Sequence, residues 1–250
     1  MPVIATFNAK ITDGRAFETA TKVTVDGKPV DARWYFEYSD PASGHVMEAH
    51  LRMQNYWPAN SRIHVDLPVQ GKSGGTVARH PSEEYIFNDS LTSDFETTDA
   101  HVVTVSNATH TLTVKDNGKV WGTFPVSLGA SNTPTKRGVK VIMEKGRDIR
   151  MVGPGYDDPH VKLTQRLTYD GEYLHSAPWN TYNIDHGINS SNGCTNLHPA
   201  DAQRLYDFLG IGDPVEYPDA DGPKMQLGTG YGDWNVTWSL WQTGGAIHTE

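Results

Sequence analysis

Apolar and polar residues alternate with period two over short stretches of the first hundred residues, as in Ala20-Thr21-Lys22-Val23-Thr24-Val25 and Arg33-Trp34-Tyr35-Phe36-Glu37-Tyr38. Turn-forming clusters, Asp26-Gly27-Lys28-Pro29 and Asp40-Pro41-Ala42-Ser43-Gly44, separate them. A further strand, Arg62-Ile63-His64-Val65-Asp66-Leu67, follows a turn at Trp57-Pro58-Ala59-Asn60. Alternation broken by turns every ten residues or so predicts an antiparallel β-sandwich, with the aromatics in its core. Gln70-Gly71-Lys72-Ser73-Gly74-Gly75-Thr76 has the composition of a phosphate loop but not the spacing G-x-x-x-x-G-K-[ST], and is read as a solvated loop.

The pattern sharpens after His101. Val102-Val103-Thr104-Val105 and Thr111-Leu112-Thr113-Val114 lead to a turn at Asp116-Asn117-Gly118 and a third strand, Val120-Trp121-Gly122-Thr123-Phe124. Asn-Gly between alternating strands is the strongest short-range hairpin signal in a sequence, and a second domain is placed from about residue 100. Thr133-Pro134-Thr135-Lys136-Arg137-Gly138 reads as a turn into a strand from Val139 to Met143. Two more strands, Leu163 to Tyr169 and Tyr173 to Ser176, flank Asp170-Gly171. One segment has helical period: Pro199 suits a first turn, Ala202, Leu205, Tyr206 and Leu209 form an apolar stripe, and Gly210 is placed at a left-handed C-terminal position. Beyond the strand Pro214-Val215-Glu216-Tyr217, Trp234, Trp238 and Trp241 are read as packing back on the body, with an exposed carbohydrate-stacking platform as the alternative.

Composition narrows the function. The 250 residues carry 30 acidic against 21 basic side chains, a formal charge of −9 that disfavours a nucleic-acid partner. No apolar run approaches the ~18 residues of a membrane span, and the start, Met1 to Lys10, lacks the basic and apolar regions of an export signal. A single cysteine, Cys194, excludes an intrachain disulfide.

Cys194 sits among Asn189, Ser190, Ser191, Asn192, Gly193, Thr195 and Asn196. A structural cysteine is usually a small buried hydrophobe among aliphatic residues, whereas this polar loop suits a reactive thiol. Such a thiol needs a base or cation to become a thiolate. His175, at a strand end, and His186, in the turn Asp185-His186-Gly187, are both candidates, and the Gly193 and Cys194 amides could form an oxyanion hole. His175, His186 and His198 lack metal-binding spacing, so no cofactor or metal is expected.

These residues carry a resemblance. Val126-Ser127-Leu128-Gly129, Thr133-Pro134-Thr135 with Gly138, Tyr173-Leu174-His175-Ser176-Ala177-Pro178-Trp179, Ser191-Asn192-Gly193-Cys194-Thr195-Asn196, Gly212-Asp213-Pro214-Val215-Glu216 and Gly232-Asp233-Trp234-Asn235 together resemble the L,D-transpeptidases of bacterial cell walls, whose catalytic domain is called YkuD. The likeness is greatest to the actinobacterial enzymes with immunoglobulin-like domains. The implied fold is mainly β: an immunoglobulin-like β-sandwich over 1–98, a YkuD-type β-rich catalytic domain over 99–218 with one main helix after the cysteine, and a C-terminal extension over 219–250 that packs on the body.

The resemblance implies that Cys194 attacks the carbonyl between the third residue of a peptidoglycan tetrapeptide stem and its terminal D-alanine. A thioester follows, and the side-chain amine of a second stem resolves it into a 3→3 cross-link. His175 is the implied base, oriented by the Ser176 main-chain carbonyl, with Gly193 and Cys194 at the oxyanion. Tyr156, Tyr169, Trp179, Ser191 and Asn196 are the implied substrate contacts, carbapenems the implied acylating inhibitors, and the outer face of the membrane or the cell wall the implied location. Two departures stand out. Asn192 replaces the family's usual histidine, and can donate a hydrogen bond but not titrate. The segment Met151 to Tyr169, a substrate-covering lid in relatives, reads as shorter. The alternatives are an L,D-carboxypeptidase with water as acceptor, a catalytically impaired peptidoglycan-binding protein, and an unrelated cysteine peptidase.

Overall fold

The computed structural model describes residues 1–39, 44–77, 80–153 and 155–247, so the expected turn at 40–44 lies, except for Gly44, outside the described residues. Two compact units result: Pro2–Asp99 with the chain from Val236 on, and Ala100–Asn235 with Met1. The segment from residue 219 is thus divided, its first part belonging to the second unit and its last part to the first.

The first unit holds β1 (Val3–Phe7), α1 (Arg15–Ala20), β2 (Lys22–Val25), β3 (Lys28–Pro29), β4 (Ala32–Tyr38), β5 (Met47–Met53), β6 (Arg62–Leu67), β7 (Ser73–Val77), β8 (His80–Ile86) and β9 (Leu91–Glu96). Sheets β1-β5-β4 and β3-β2-β6-β9 are antiparallel. Alternation places Phe7, Trp34, Phe36, Met47 and Leu51 of one sheet against Val23, Ile63, Val65 and Leu67 of the other in one core, the sandwich that the pattern predicts. Asp26 and Gly27 both take positive φ at the β2–β3 turn, the primed geometry that Asp-Gly favours.

The glycine-rich segment differs from expectation. Ser73–Val77 is not a loop but β7, paired with β8. A Cβ on Gly74 would lie 2.9 Å from Tyr85 and 3.0 Å from Phe87, so glycine is required by aromatic rings packed on the strand rather than by a ligand. The outer face of β4 and β5 is covered by α4 (Trp238–Trp241). Trp241 is fully buried, stacks on Tyr35 at 4.7 Å and meets the Arg52 guanidinium at 4.2 Å, while Arg52 donates to the Val236 carbonyl at 2.8 Å. Trp241 packs inward as expected, whereas Trp238, 5.4 Å from the same guanidinium, and Trp234 are half-buried.

The second unit begins with β10 (His101–Ser106), β11 (Thr111–Asp116) and β12 (Lys119–Pro125), joined by the expected Asn117-Gly118 turn, both residues at positive φ. β13 (Gly138–Val141), β14 (Glu144–Gly153), β15 (Tyr156–Arg166), β16 (Tyr173–Ser176), β17 (Thr195–Leu197) and β18 (Pro214–Tyr217) follow, with α2 (Thr181–Asp185) and α3 (Pro199–Phe208). One sheet has the order β12-β11-β10-β18-β13 and the other β14-β15-β16-β17. Leu112, Val114 and Val215 of the first, Leu174 and Leu197 of the second, and Ala202 and Leu205 of α3 share one core. The helix carries its stripe as expected, but it ends on extended backbone at Leu209 (φ −79°, ψ 146°), and the left-handed glycine is Gly212, not Gly210. The Asp213 carboxylate takes up the Gly210 N–H at 2.8 Å and closes the helix end in place of a glycine cap. Most of Met151 to Tyr169, read as a lid, belongs to a long β14–β15 hairpin.

Candidate functional site

The site forms where β16 and β17 run parallel, with Leu174 opposite Thr195, His175 opposite Asn196 and Ser176 opposite Leu197. Parallel neighbours cannot be joined by a tight turn, so residues 177–194 form a crossover that returns Cys194 to the N-terminal end of β17. Strand alternation then puts Tyr173, His175, Cys194 and Asn196 on one face, and Leu174, Ser176, Thr195 and Leu197 on the other. A hydrophobic interior on one side of a strand pair thus presents the chemistry on the other.

The cysteine loop is clamped by residues 127–135. Ser127 and Asn196 exchange backbone hydrogen bonds, Ser190 and Ser191 donate to the Leu128 carbonyl, and Ala130 donates to the Ser191 carbonyl. Thr133 Oγ1 donates to Ser191 O at 2.9 Å. Thr135, buried, spans the two segments: it accepts the Gly129 N–H at 2.9 Å and donates to the Gly193 carbonyl at 2.9 Å. The Ser191 hydroxyl closes the turn, accepting the Gly193 N–H at 3.2 Å and donating to Cys194 O at 2.6 Å. Gly193 sits at φ 109°, a conformation that side-chain-bearing residues rarely adopt.

His175 is buried, and its Nδ1–H donates to the Ser176 carbonyl at 2.9 Å. That bond fixes the tautomer and leaves Nε2 as the lone-pair nitrogen. Burial pulls its pKa below the usual value, so the ring is neutral at pH 7; the Ser176 carbonyl and Asp158 partly oppose the shift. The half-exposed ring of Trp179 stacks on His175 at 5.9 Å and 27°. The Cys194 thiol is buried, and burial pushes its pKa up to about 12, helped by the Glu172 charge and countered by the Tyr173 N–H and by Lys140. The thiol points to the Gly171 carbonyl at 3.6 Å rather than to His175. The resting pair is therefore neutral thiol and neutral imidazole.

The remaining expected residues fall differently. Tyr156, half-buried at the start of β15, has its pKa raised by burial and, less, by its nearness to Cys194. Tyr169 lies at the Asp170-Gly171 turn, its ring edge-on to Tyr231 at 6.0 Å. Asn196 is buried beside His175, and its Oδ1 has no partner among the described residues. Asn192 is exposed and its side chain makes no hydrogen bond among the described residues. His186 stacks on Tyr182 at 4.0 Å and bonds the Tyr182 carbonyl, and His198 pairs with Asp185 at 2.8 Å; neither faces the thiol. Sequence reasoning missed Lys140 and Glu172, an ion pair buried behind the cysteine loop. Their only local signal is a lysine inside an apolar strand run, which is ambiguous without its partner.

Comparison with known proteins agrees with this layout. The L,D-transpeptidase catalytic domain (YkuD) matches residues 100–216, and a bacterial Ig domain matches residues 1–73. L,D-transpeptidase 1 of Mycobacterium tuberculosis H37Rv is 34% identical over 224 residues, 86% of this chain and 77% of that protein. L,D-transpeptidase 2 of M. tuberculosis (strain CDC 1551 / Oshkosh) is 30% identical over 98% of this chain, which spans 58% of that protein's length. Against L,D-transpeptidase 5 of the H37Rv strain the chain spans 53%. The solved structure of LdtMt1 in complex with imipenem superposes with a TM-score of 0.65 at 30% identity, over 87% of this chain and 91% of that one. L,D-transpeptidase 3 of M. tuberculosis in complex with a faropenem-derived adduct gives 0.65 at 28%, over 87% and 91%. Fold and matches together define a two-unit protein, an Ig domain followed by an L,D-transpeptidase catalytic domain. The chain belongs to the L,D-transpeptidase family.

Proposed function

We propose that the protein is a peptidoglycan L,D-transpeptidase acting through Cys194, with His175 as its base. The observation that carries the reading is the His175 ring, locked by Ser176 O with Nε2 free, on the same strand face as the only thiol. The reaction requires the Cys194 sulfur to turn from Gly171 O toward that nitrogen. Nε2 then accepts the thiol proton as the sulfur attacks the carbonyl between the third stem residue and D-alanine. The tetrahedral oxyanion collapses to a thioester, and the imidazolium gives its proton to the departing D-alanine amine. The side-chain amine of a second stem attacks the thioester, loses its proton to the imidazole and restores the thiol, leaving a 3→3 cross-link. Because the Gly193 N–H is held by Ser191, the Cys194 N–H is the oxyanion donor favoured by this geometry.

Tyr156, Trp179, Ser191 and Asn196 border the stem-binding side, and Asn192 acts as a rim residue. No helix among the described residues is long and apolar enough to cross a membrane, and the substrate places the site of action outside the cytoplasm, at the cell wall. By analogy with the relatives solved with imipenem and a faropenem-derived adduct, carbapenems acylate the same thiol.

The test is incubation with a disaccharide-tetrapeptide followed by mass spectrometry. A dimer lacking one D-alanine, lost in Cys194→Ala, is expected. Tripeptide alone identifies an L,D-carboxypeptidase, and no product together with no carbapenem adduct refutes the catalytic reading in favour of a binding protein.

A further inference from the structure

Behind the nucleophile, on the strand face opposite His175, lies a buried charged cluster. Lys140, in the middle of β13, has no exposed surface, and its ammonium contacts the Glu172 carboxylate. The second Glu172 oxygen accepts the Lys136 N–H at 2.8 Å. A Cβ on Gly193 would lie 3.6 Å from that oxygen, so the carboxylate packs directly on the cysteine loop. The Lys140 ammonium also sits 3.8 Å over the ring of Tyr217, whose hydroxyl pairs with Thr195 Oγ1 at 2.7 Å, one residue after the nucleophile. Lysine is almost never fully buried unless paired. A buried pair also costs several kcal/mol of desolvation per ion that its mutual attraction need not recover, so a brace of apolar residues would serve stability at least as well.

We infer that Lys140 and Glu172 are positioning residues that set the charge at Cys194: the ammonium favours the thiolate, the carboxylate opposes it, and their pairing holds the loop against Tyr217 and Thr195. The groups that see Cys194 from each packed element are Lys140 from β13, Tyr156 from β15, Glu172 just before β16, Tyr173 at its start, and Tyr217 from β18. Lys136 acts on Lys140. Of these, Lys140 is the cation and Glu172 the carboxylate, so changing either has a signed effect. The inference rests on Cys194 being the reacting group, and its readout is independent of acyl transfer.

The test is the rate of alkylation of Cys194 by iodoacetamide against pH, followed by intact mass. It is run in a His175→Ala background, where no imidazole assists and the rate follows the thiolate population. Glu172→Gln is expected to displace the curve about one pH unit downward, roughly a tenfold faster reaction at fixed pH. Lys140→Met displaces it upward by a similar amount, and the double variant falls near the parent. Melting curves accompany each variant. If Lys140→Met does not fold, Glu172→Gln and the double variant decide alone. A folded Glu172→Gln whose alkylation stays within about twofold of the parent at every pH overturns the inference and leaves the pair a structural brace. Absence of cross-linking by the protein with His175 intact, with the alkylation shifts present, would instead refute the transpeptidase reading and leave this one standing.

Discussion

Thr135→Val removes one hydroxyl and strands two buried main-chain groups. The side chain that replaces it has nearly the same shape, so packing changes little and the effect is one of hydrogen bonding. The Gly129 N–H and the Gly193 carbonyl both lose a partner at 2.9 Å. Neither can move to another acceptor or donor easily: a Cβ on Gly129 would already lie 2.2 Å from Thr133 O, which shows how tightly that turn is closed. A net hydrogen bond is worth about 1 kcal/mol, and a buried group left unsatisfied costs about 1–3 kcal/mol. Two such groups give an expected loss of about 2–6 kcal/mol. Calorimetry is the suitable assay, and the residues concerned belong to the second unit. The Gly193 carbonyl also fixes the peptide that leads into Cys194, so carbapenem acylation is expected to slow about tenfold in the same variant. Thr135→Ser, which keeps the hydroxyl, restores most of both. A folded Thr135→Val with less than ~0.5 kcal/mol lost and normal acylation would refute the clamp.

The pH dependence follows from the two shifts. The His175 pKa is lowered by burial and Cys194 is pushed up to about 12, so the competent form, neutral imidazole beside neutral thiol, is lost only as pH falls through the depressed histidine value. Stopped-flow acylation by a carbapenem should rise to a plateau with an apparent pKa below the ordinary histidine value of about 6.5 and stay level to about pH 9; a tenfold rise per unit between pH 7 and 9 would mean an unassisted thiol. The same sign holds for stability: protonating buried His175 costs more in the folded state, so its contribution is fully present above pH ~6.5 and declines as pH falls below that value. Gly193→Ala forces a side chain onto φ 109° and is expected to cost about 1–3 kcal/mol and to abolish acylation, read by melting and intact mass. Asn192→His, at an exposed position without a hydrogen bond, should change the melting free energy by less than ~0.5 kcal/mol, and a cross-linking rate changed more than tenfold would show that the position does more than line the rim.

Local pattern was enough to locate the β10–β11–β12 meander, the helix stripe on Ala202 and Leu205 and the polar loop around Cys194, because period, turn residues and composition are properties of neighbours in the chain. The same logic misplaced Gly74 and Gly210. A glycine is needed wherever something approaches closely, and here that something is Tyr85 and Phe87 across a hairpin, or is replaced by the Asp213 carboxylate at a helix end. The choice between His175 and His186 as the side chain beside the thiol was open from spacing alone. The parallel β16–β17 register settles which of them shares a strand face with Cys194, since it pairs residues 21 positions apart (196 − 175) and no local signal encodes that. Lys140 and Glu172, 32 positions apart, become an ion pair only when β13 and the start of β16 meet behind the loop. What the sequence determined by itself was the parts, one thiol, its polar loop and the strands around it. What only the tertiary structure decided was their electrostatic setting: which face is dry, which carbonyl holds the imidazole, and which buried charges lie behind the sulfur. Burial and long-range pairing set those energies, and neither is written in the order of adjacent residues.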